Sequence, residues 1–475
     1  MDQVTEFRSA LVKALPSSAY LLEDDARQAY ESDWRGIVKN PSAAILLPGS
    51  TADVSAMVSL CAAHGIAVVP QGGNTGLAAG AVPVAHLPQA VLSLRRMQAI
   101  RSIDPVNNTM EIEAGVVLQT AQEEAARVDR LLPLSLAAEG SCQIGGTIAT
   151  NAGGIHVLSY GSMRNLVLGL EVVLPDGRIW NGLRSLRKDN TGIDLKHVFI
   201  GSEGILGIIT AAALRMLPRP KKALTVLAAC DSAHAALRVF LEAQQACGSD
   251  LTSCEYLTQI GLDLVLDHLP ASRPPFDERY PAYVLMEMSS LDAAADLSAR
   301  LEPLLMRLHE GGTVLDVAVA QSESQRMALW QLRESLSEGE RAAGGAVKHD
   351  VAVPVAAIPQ TIADIEHGLP KVAPGARLNI FGHLGDGNLH VNVMPPARVA
   401  FADFLAQARQ VTAFIEEIVV GAGGTFSAEH GIGQLRVESL KNHRAPLELE
   451  LMRAIKGAID PRWMMNPGKV LNRSN

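Results

Sequence analysis

The chain has 475 residues, 48% of them hydrophobic and 19% charged, with 41 Lys and Arg against 50 Asp and Glu. That length leaves room for about two to four domains whose cores need no disulfide or metal staple. The apolar content excludes a disordered chain, the net charge of −9 argues against a bulk electrostatic grip on nucleic acid, and 4% aromatics against base-stacking platforms.

In chain order, Met1 to Glu6 carry an acid where a secretory signal would be basic, and no apolar run follows. Residues 44–48 have the composition of a strand closed by proline. Residues 51–64 follow as an amphipathic helix N-capped by Ser50 or Thr51, with Asp53 in the first turn, and Gly65 ends it. Residues 66–70 form the next strand, and 109–114 and 169–174 are strand-like as well. Pro175-Asp176-Gly177-Arg178 after the last of these is a hairpin turn. The longest apolar stretch, residues 204–214, stops at Arg215, short of the roughly 20 residues that cross a bilayer. Five cysteines, an odd count without a CxxC pair, read as core thiols of a reducing compartment. A soluble cytoplasmic protein is expected, with peripheral attachment to an inner membrane left open.

Residues 217–222, Leu-Pro-Arg-Pro-Lys-Lys, have a linker composition and mark a domain boundary. Beyond it strands at 224–229 and 282–288 alternate with Ala- and Leu-rich helices at 233–247 and 291–310, an α+β pattern. The expected division is 1–219, 220–425 and a C-terminal segment 426–475.

The first half is most informative in its glycines. Pro70-Gln71-Gly72-Gly73-Asn74-Thr75-Gly76-Leu77 directly follows a strand, and adjacent glycines let successive N–H groups point into one concavity, an anion nest. A second cluster runs from Gly140-Ser141-Cys142 through Gly145-Gly146 and Thr150-Asn151 to Gly153-Gly154. So many small residues mean that something bulky approaches the main chain. A third is Gly201-Ser202-Glu203-Gly204-Ile205-Leu206-Gly207-Ile208-Ile209. None is GxxxxGK[ST] or a helix-opening GxGxxG, which disfavours P-loop and Rossmann sites.

These blocks together resemble the FAD-binding domain of the vanillyl-alcohol oxidase flavoprotein family. The resemblance implies that Pro70, Gly72, Gly73, Asn74, Thr75, Gly76 and Leu77 hold the FAD pyrophosphate. Gly140, Ser141, Gly145, Gly146, Thr150, Asn151 and Gly153 would run beside the ribityl chain and ring, with Glu203, Gly204 and Ile209 near the adenine and ring. Ala79 departs from the usual second glycine before Gly80. Some members bind flavin covalently through His or Cys. His156 and Cys142 are the nearest such residues, but non-covalent FAD is expected.

In the second half, Phe381-Gly382-His383-Leu384-Gly385-Asp386-Gly387-Asn388-Leu389-His390-Val391-Asn392 is built around a Gly-Asp-Gly-Asn turn. If His390 and Asn392 lie on a following strand, they share a face at period two, and His383 can approach His390 across the turn. Ser427-Ala428-Glu429-His430-Gly431-Ile432-Gly433 is a second polar cluster. Two imidazoles and a carboxylate suit a catalytic zinc, and iron and manganese accept similar sets.

This half resembles the FAD-linked D-2-hydroxyacid dehydrogenases, and most closely their D-2-hydroxyglutarate branch. That resemblance implies His383, His390 and Glu429 as ligands of a divalent metal, zinc foremost. Asn392 and His430 would face the substrate, with His430 as the base for its hydroxyl. Arg333 and Lys348 match a basic pocket, with Ser337 one turn after Arg333 where relatives often have Thr. Asn466-Pro467-Gly468-Lys469 resembles a segment that folds back beside the flavin, with Asn466 among the cofactor residues.

The implied fold is α+β: a vanillyl-alcohol-oxidase-type FAD domain plus a substrate domain with an antiparallel sheet. The implied reaction oxidises a D-2-hydroxy acid to the 2-keto acid, with hydride passing to the flavin. Electrons would go to an external carrier such as an electron-transfer flavoprotein or a quinone. D-lactate or glycolate is the alternative substrate, and a flavin subunit of a glycolate oxidase complex the alternative role. A homodimer is the assembly considered.

Overall fold

The computed structural model describes residues 2–270 and 272–473. It divides into two units: residues 1–153, 161–219 and 429–475 in one, and residues 154–160 and 220–428 in the other. The expected division set 426–475 apart as a segment of its own, whereas packing gathers 429–475 into the first unit. Among the described residues, no helix is long and apolar enough to cross a membrane.

The first unit opens with a four-stranded sheet of β1 (Tyr20–Leu21), β2 (Ala44–Leu46), β3 (Ala67–Gln71) and β4 (Gln89–Ser93), in the order β1-β2-β4-β3. β4 runs parallel to both β2 and β3. The connecting helix Thr51–Ala63 starts where expected, because the Ser50 hydroxyl accepts the N–H of Asp53 at 3.1 Å. A second, antiparallel sheet holds β5 (Ile100–Asp104), β6 (Thr109–Glu113), β7 (Val167–Val173), β8 (Ile179–Gly182) and β9 (Ile208–Arg215), ordered β5-β6-β9-β7-β8. The β7–β8 turn needs its glycine: Gly177 has φ +87° and lies so close to the helix Thr51–Ala63 that a Cβ would fall 2.0 Å from the Ser59 hydroxyl.

The second unit is built on seven antiparallel strands: β10 (Lys222–Cys230), β11 (Leu251–Thr258), β12 (Ala282–Ser290), β13 (Asp316–Val319), β14 (Val347–Ala352), β15 (Arg377–His383) and β16 (Asn388–Met394). Their order is β13-β10-β12-β11-β15-β16-β14. Period two sorts their side chains. Val226, Ala228, Tyr256, Val284, Met286, Ile380, Leu389, Val391 and Val393 join one large core with the helices Ala233–Cys247, Leu297–Glu310, Ile358–Val372 and Ala408–Gly421. The opposite face is apolar only where Leu227, Leu257, Tyr283, Leu285 and Phe381 meet Leu262, Val265, Trp330 and Leu336. The rest of that face is polar, and the candidate site lies there.

The helix expected from residue 291 begins at Leu297 instead. The Asp292 carboxylate accepts the N–H of Ala294 in a local turn, and Asp296 caps the helix through the N–H of Ala299. Short polar side chains that bond nearby main chain favour turns and caps over helix interiors. All five cysteines are buried, and none is in a disulfide.

Candidate active site

The glycine loops meet within the first unit. β3 runs into residues 72–77, and the buried Gln71 amide ties the ends of this excursion by donating to the carbonyls of Tyr30 and Ala81, each at 2.9 Å. The 72–77 loop lies directly on the second loop, since a Cβ on Gly73 would sit 2.1 Å from the Ser141 carbonyl oxygen. Gly145 packs in the same way against Ala114, at 2.7 Å. Gly76 and Gly146 have open space beside them: a Cβ there would meet nothing within 4 Å. Main chain that is tightly backed on one side and bare on the other forms a cradle, and a phosphate-bearing cofactor fits its N–H groups. The side-chain oxygen of Gln143 is buried, without a hydrogen-bond partner among the described residues, and faces Gly72 in this same region.

The polar residues expected to contact the cofactor mostly brace these loops. Asn74 has φ 54° and donates to the Ser32 carbonyl at 2.8 Å. Asn151, with φ 51°, accepts from the Arg164 N–H at 2.9 Å and the Ser162 hydroxyl at 3.0 Å. Thr150 bonds the Gly146 carbonyl. Glu203 has φ 52°, and its carboxylate accepts the N–H groups of Ile432 and Gly433, each at 2.7 Å. Burial pushes the Glu203 carboxyl above its ordinary range, against the pull of those two donors. Asn466 donates to the carbonyls of Gly80 and Glu203, while its N–H pairs with Val68 beside β3. Pro70 lies under Gly204, Ile209 is buried in β9, and Gly140 and Ser141 are exposed at the loop surface. Burial raises the Cys142 thiol to about 12, so it has little thiolate with which to form a thioether at neutral pH.

In the second unit, β15 and β16 form the hairpin expected around the Gly-Asp-Gly-Asn turn. Gly387 is required there, with φ +87° and a Cβ that would lie 2.1 Å from the Val353 carbonyl oxygen. β16 alternates as expected, with His390 and Asn392 on the polar face and Leu389, Val391 and Val393 in the core. The His383 and His390 rings lie 6.0 Å apart, edge to face, and each offers a nitrogen within 4.8 Å of the other. Asp350, fully buried on β14, holds Asn388 at 2.8 Å and lies 3.9 Å from His390 Nδ1. Ser427 bridges to Asp350, and the N–H of Ala428 donates to the Asp350 carbonyl. Glu429 and His430 are the next residues in the chain.

Two buried glutamates organise this face, and motif reading missed both. Glu255, on β11, takes the His383 Nδ1–H at 2.7 Å on one oxygen and the Arg333 Nε–H at 2.8 Å on the other. Burial alone would raise its carboxyl, but His383 and Arg333 beside it hold it below the usual value. Glu340, from the helix Leu336–Ala342, takes the amides of Asn379 and Asn392 at 2.7 and 2.8 Å and lies 3.2 Å from Lys348 Nζ. The signal for Glu255 was a lone acid on the apolar strand Leu251–Thr258.

The cations expected to concentrate positive charge are thus each balanced by a buried carboxylate. Arg333 is itself buried, its guanidinium 4.9 Å from the Phe381 ring. Among the described residues its only polar partner is Glu255, at Nε, so its terminal nitrogens have no protein acceptor. Ser337 is exposed on the helix Leu336–Ala342, with no bond to Arg333 or Lys348 among the described residues.

The donor chemistry suits a divalent cation. A histidine that gives its Nδ1–H to a carboxylate presents the Nε2 lone pair, the arrangement usual for metal-ligating imidazoles.

Residues 219–470 match the family described as FAD linked oxidases, C-terminal domain, and residues 42–182 match the FAD binding domain. The chain is 37% identical, over all of its length and 82% of the relative's, to a probable mitochondrial D-2-hydroxyglutarate dehydrogenase of Oryza sativa subsp. indica. It is 38% identical to D-2-hydroxyglutarate dehydrogenase of Xanthomonas citri pv. viticola, covering 97% of this chain and 96% of that one. A D-2-hydroxyglutarate–pyruvate transhydrogenase of Saccharomyces cerevisiae is 32% identical over 99% and 94%. Among solved structures, p-cresol methylhydroxylase with substrate bound superposes with a TM-score of 0.76 at 15% identity, covering 100% and 97% of the two chains. 4-Ethylphenol oxidase from Gulosibacter chungangensis gives 0.72 at 17% over 98% and 97%. At such identities these two speak for the fold alone, which is that of the vanillyl-alcohol oxidase flavoproteins.

Proposed function

The chain belongs to the FAD-linked D-2-hydroxyglutarate dehydrogenase family, and from that premise we propose that it oxidises D-2-hydroxyglutarate to 2-oxoglutarate at a divalent-metal site held by His383, His390 and Glu429. Zinc suits the ligand set best, with manganese and iron as alternatives. When bound, FAD supplies the hydride acceptor and the cation acidifies the substrate hydroxyl.

The protein's own groups do the rest. The main chain at Gly72, Gly73, Gly76 and Gly146 receives the cofactor. Glu255 fixes the His383 tautomer. Glu429 follows Ala428, which is pinned to Asp350. His430, the next residue, takes the hydroxyl proton at a ring nitrogen, a transfer suited to imidazole near neutral pH. Arg333 and Lys348 receive the distal carboxylate, and Asn392, held with Lys348 by the Glu340 carboxylate, faces the substrate. One observation carries the dicarboxylate reading: Arg333 is buried, anchored at Nε, and its terminal nitrogens have no acceptor among the described residues. A guanidinium fork in that state matches a carboxylate.

Electrons leave to an external carrier such as an electron-transfer flavoprotein or a quinone. The buried, unpaired thiols support a reducing, cytoplasmic setting, although the rice relative is named mitochondrial.

The test is kcat/KM on D-2-hydroxyglutarate, D-malate and D-lactate, before and after EDTA and with Zn²⁺ or Mn²⁺ added back. D-2-hydroxyglutarate should be preferred, and chelation should abolish turnover until metal returns. Lys348→Ala should raise KM for D-2-hydroxyglutarate about 10-fold or more and leave D-lactate little changed. A preference for D-lactate that Lys348→Ala leaves intact would overturn the substrate, and full activity after chelation would overturn the metal.

A further inference from the structure

We propose that Glu255 is a positioning residue that ties together the two ends of the substrate site: one carboxylate sets the orientation of both the metal-binding His383 and the carboxylate-binding Arg333. This rests on the reading of the site given above. Glu255 is fully buried on β11, opposite His383 in the sheet register. Each of its oxygens has its own partner, His383 Nδ1 at 2.7 Å and Arg333 Nε at 2.8 Å. Those partners come from different elements, the strand Arg377–His383 and the helix Glu323–Glu334.

A carboxylate is planar and rigid, so turning it to follow one partner loses the other. The Nε bond and the Phe381 ring at 4.9 Å together fix the guanidinium plane, and hence the direction of its terminal nitrogens. The bond to Nδ1 fixes the imidazole in the same way. The separation between the metal-binding nitrogen and the guanidinium fork is then referred to a single group.

Glu287 is the natural control. It is buried on the same sheet and takes bonds from Thr225, Arg326 and Trp330, none of them a predicted site residue.

The experiment uses FAD-loaded wild type, Glu255→Gln and Glu287→Gln. Zn²⁺ affinity is read by competition with a chromophoric chelator. The ratio of kcat/KM on D-2-hydroxyglutarate to that on D-lactate is read at saturating Zn²⁺. Glu255→Gln should bind Zn²⁺ about 10–100-fold more weakly. With Zn²⁺ saturating, its substrate ratio should still fall about 10-fold, through KM for the diacid. Glu287→Gln should leave both readouts at wild-type values.

If Glu255→Gln does not fold, Arg333→Lys tests the same tie from the other end. It should weaken Zn²⁺ several-fold although residue 333 is no ligand. A loss of Zn²⁺ affinity in Glu255→Gln with an unchanged substrate ratio overturns the coupling, as does unchanged Zn²⁺ affinity in either variant. A wild-type protein that binds no Zn²⁺ or oxidises no 2-hydroxy acid defeats the underlying reading instead, so the two failures are distinguishable.

Discussion

The two units build their sites from different materials. The first uses main chain: glycines let strands and loops approach closely, and side chains such as Asn74, Asn151 and Glu203 act as braces. The second uses side chains gathered over a sheet face: His383, His390 and Lys348 from strands and Arg333 from a helix, each set against a buried acid. A main-chain site fails when a methyl is added. A side-chain site fails when one charge or lone pair is taken away.

The sharpest way to break that contrast is at His383. His383→Ala should empty the metal site and lower kcat/KM about 10³-fold, with little loss of FAD, as read by metal analysis and the flavin spectrum. Loss of FAD along with the metal would contradict a side-chain site independent of the cradle.

Next is a pair of methyl additions. Gly73→Ala places a Cβ against the Ser141 carbonyl and should weaken FAD binding about 100-fold while lowering Tm. Gly76→Ala meets nothing within 4 Å, so Tm should hold while FAD weakens about 10-fold, because the methyl occupies the cradle. Wild-type FAD affinity in both variants would refute the cradle.

The smallest effect concerns a buried charge of the first unit, Lys469. Lys456 donates to Asp460 and to the carbonyls of Ile205 and Met465. Lys469 is equally buried, but its Nζ has no partner among the described residues, and burial lowers it to about 7. Between about 7 and its unfolded value of 10.5, the unfolded chain holds the extra proton, so stability rises with pH across that window. Below about 7 the cost of the buried charge is fully present. Lys469→Met should flatten this slope and raise Tm at pH 7 by about 2–4 °C, measured by calorimetry from pH 6 to 10. An unaltered slope would show that another group sets it.

The same contrast explains what the sequence made legible. Where backbone geometry demands glycine, residue identity records the geometry, so the 72–77 and 140–154 loops and the turn at Gly387 could be read directly. The alternation of His390 and Asn392 was legible for a similar reason, because the period of a strand is fixed. The partners of Arg333 and Lys348 were not legible. Glu340 stands in Ser-Glu-Gly-Glu-Arg, which reads as a solvated helix, and becomes a buried acceptor only when Asn379 and Asn392 arrive from other strands. Nor was the bond from the Asn392 amide to Glu340 legible, since the period of the strand fixes a face and not a partner. The pairing of Glu255 with Arg333 spans 78 positions and leaves no local trace.

The staple at Asn466 bears on how the chain acquires its shape. β3 is an edge strand of its sheet, and Met464, Met465 and Asn466 lie along it through bonds to Val68. Asn466 also reaches Gly80, 386 positions earlier. During synthesis that edge stays unpaired until the whole second unit has been made, although exposed strand edges invite association between chains. Most of the second unit, residues 220–428, is one continuous run that can mature while the first waits for its final strap. A nascent or truncated chain lacking that strap would therefore be expected to self-associate before it could hold a cofactor.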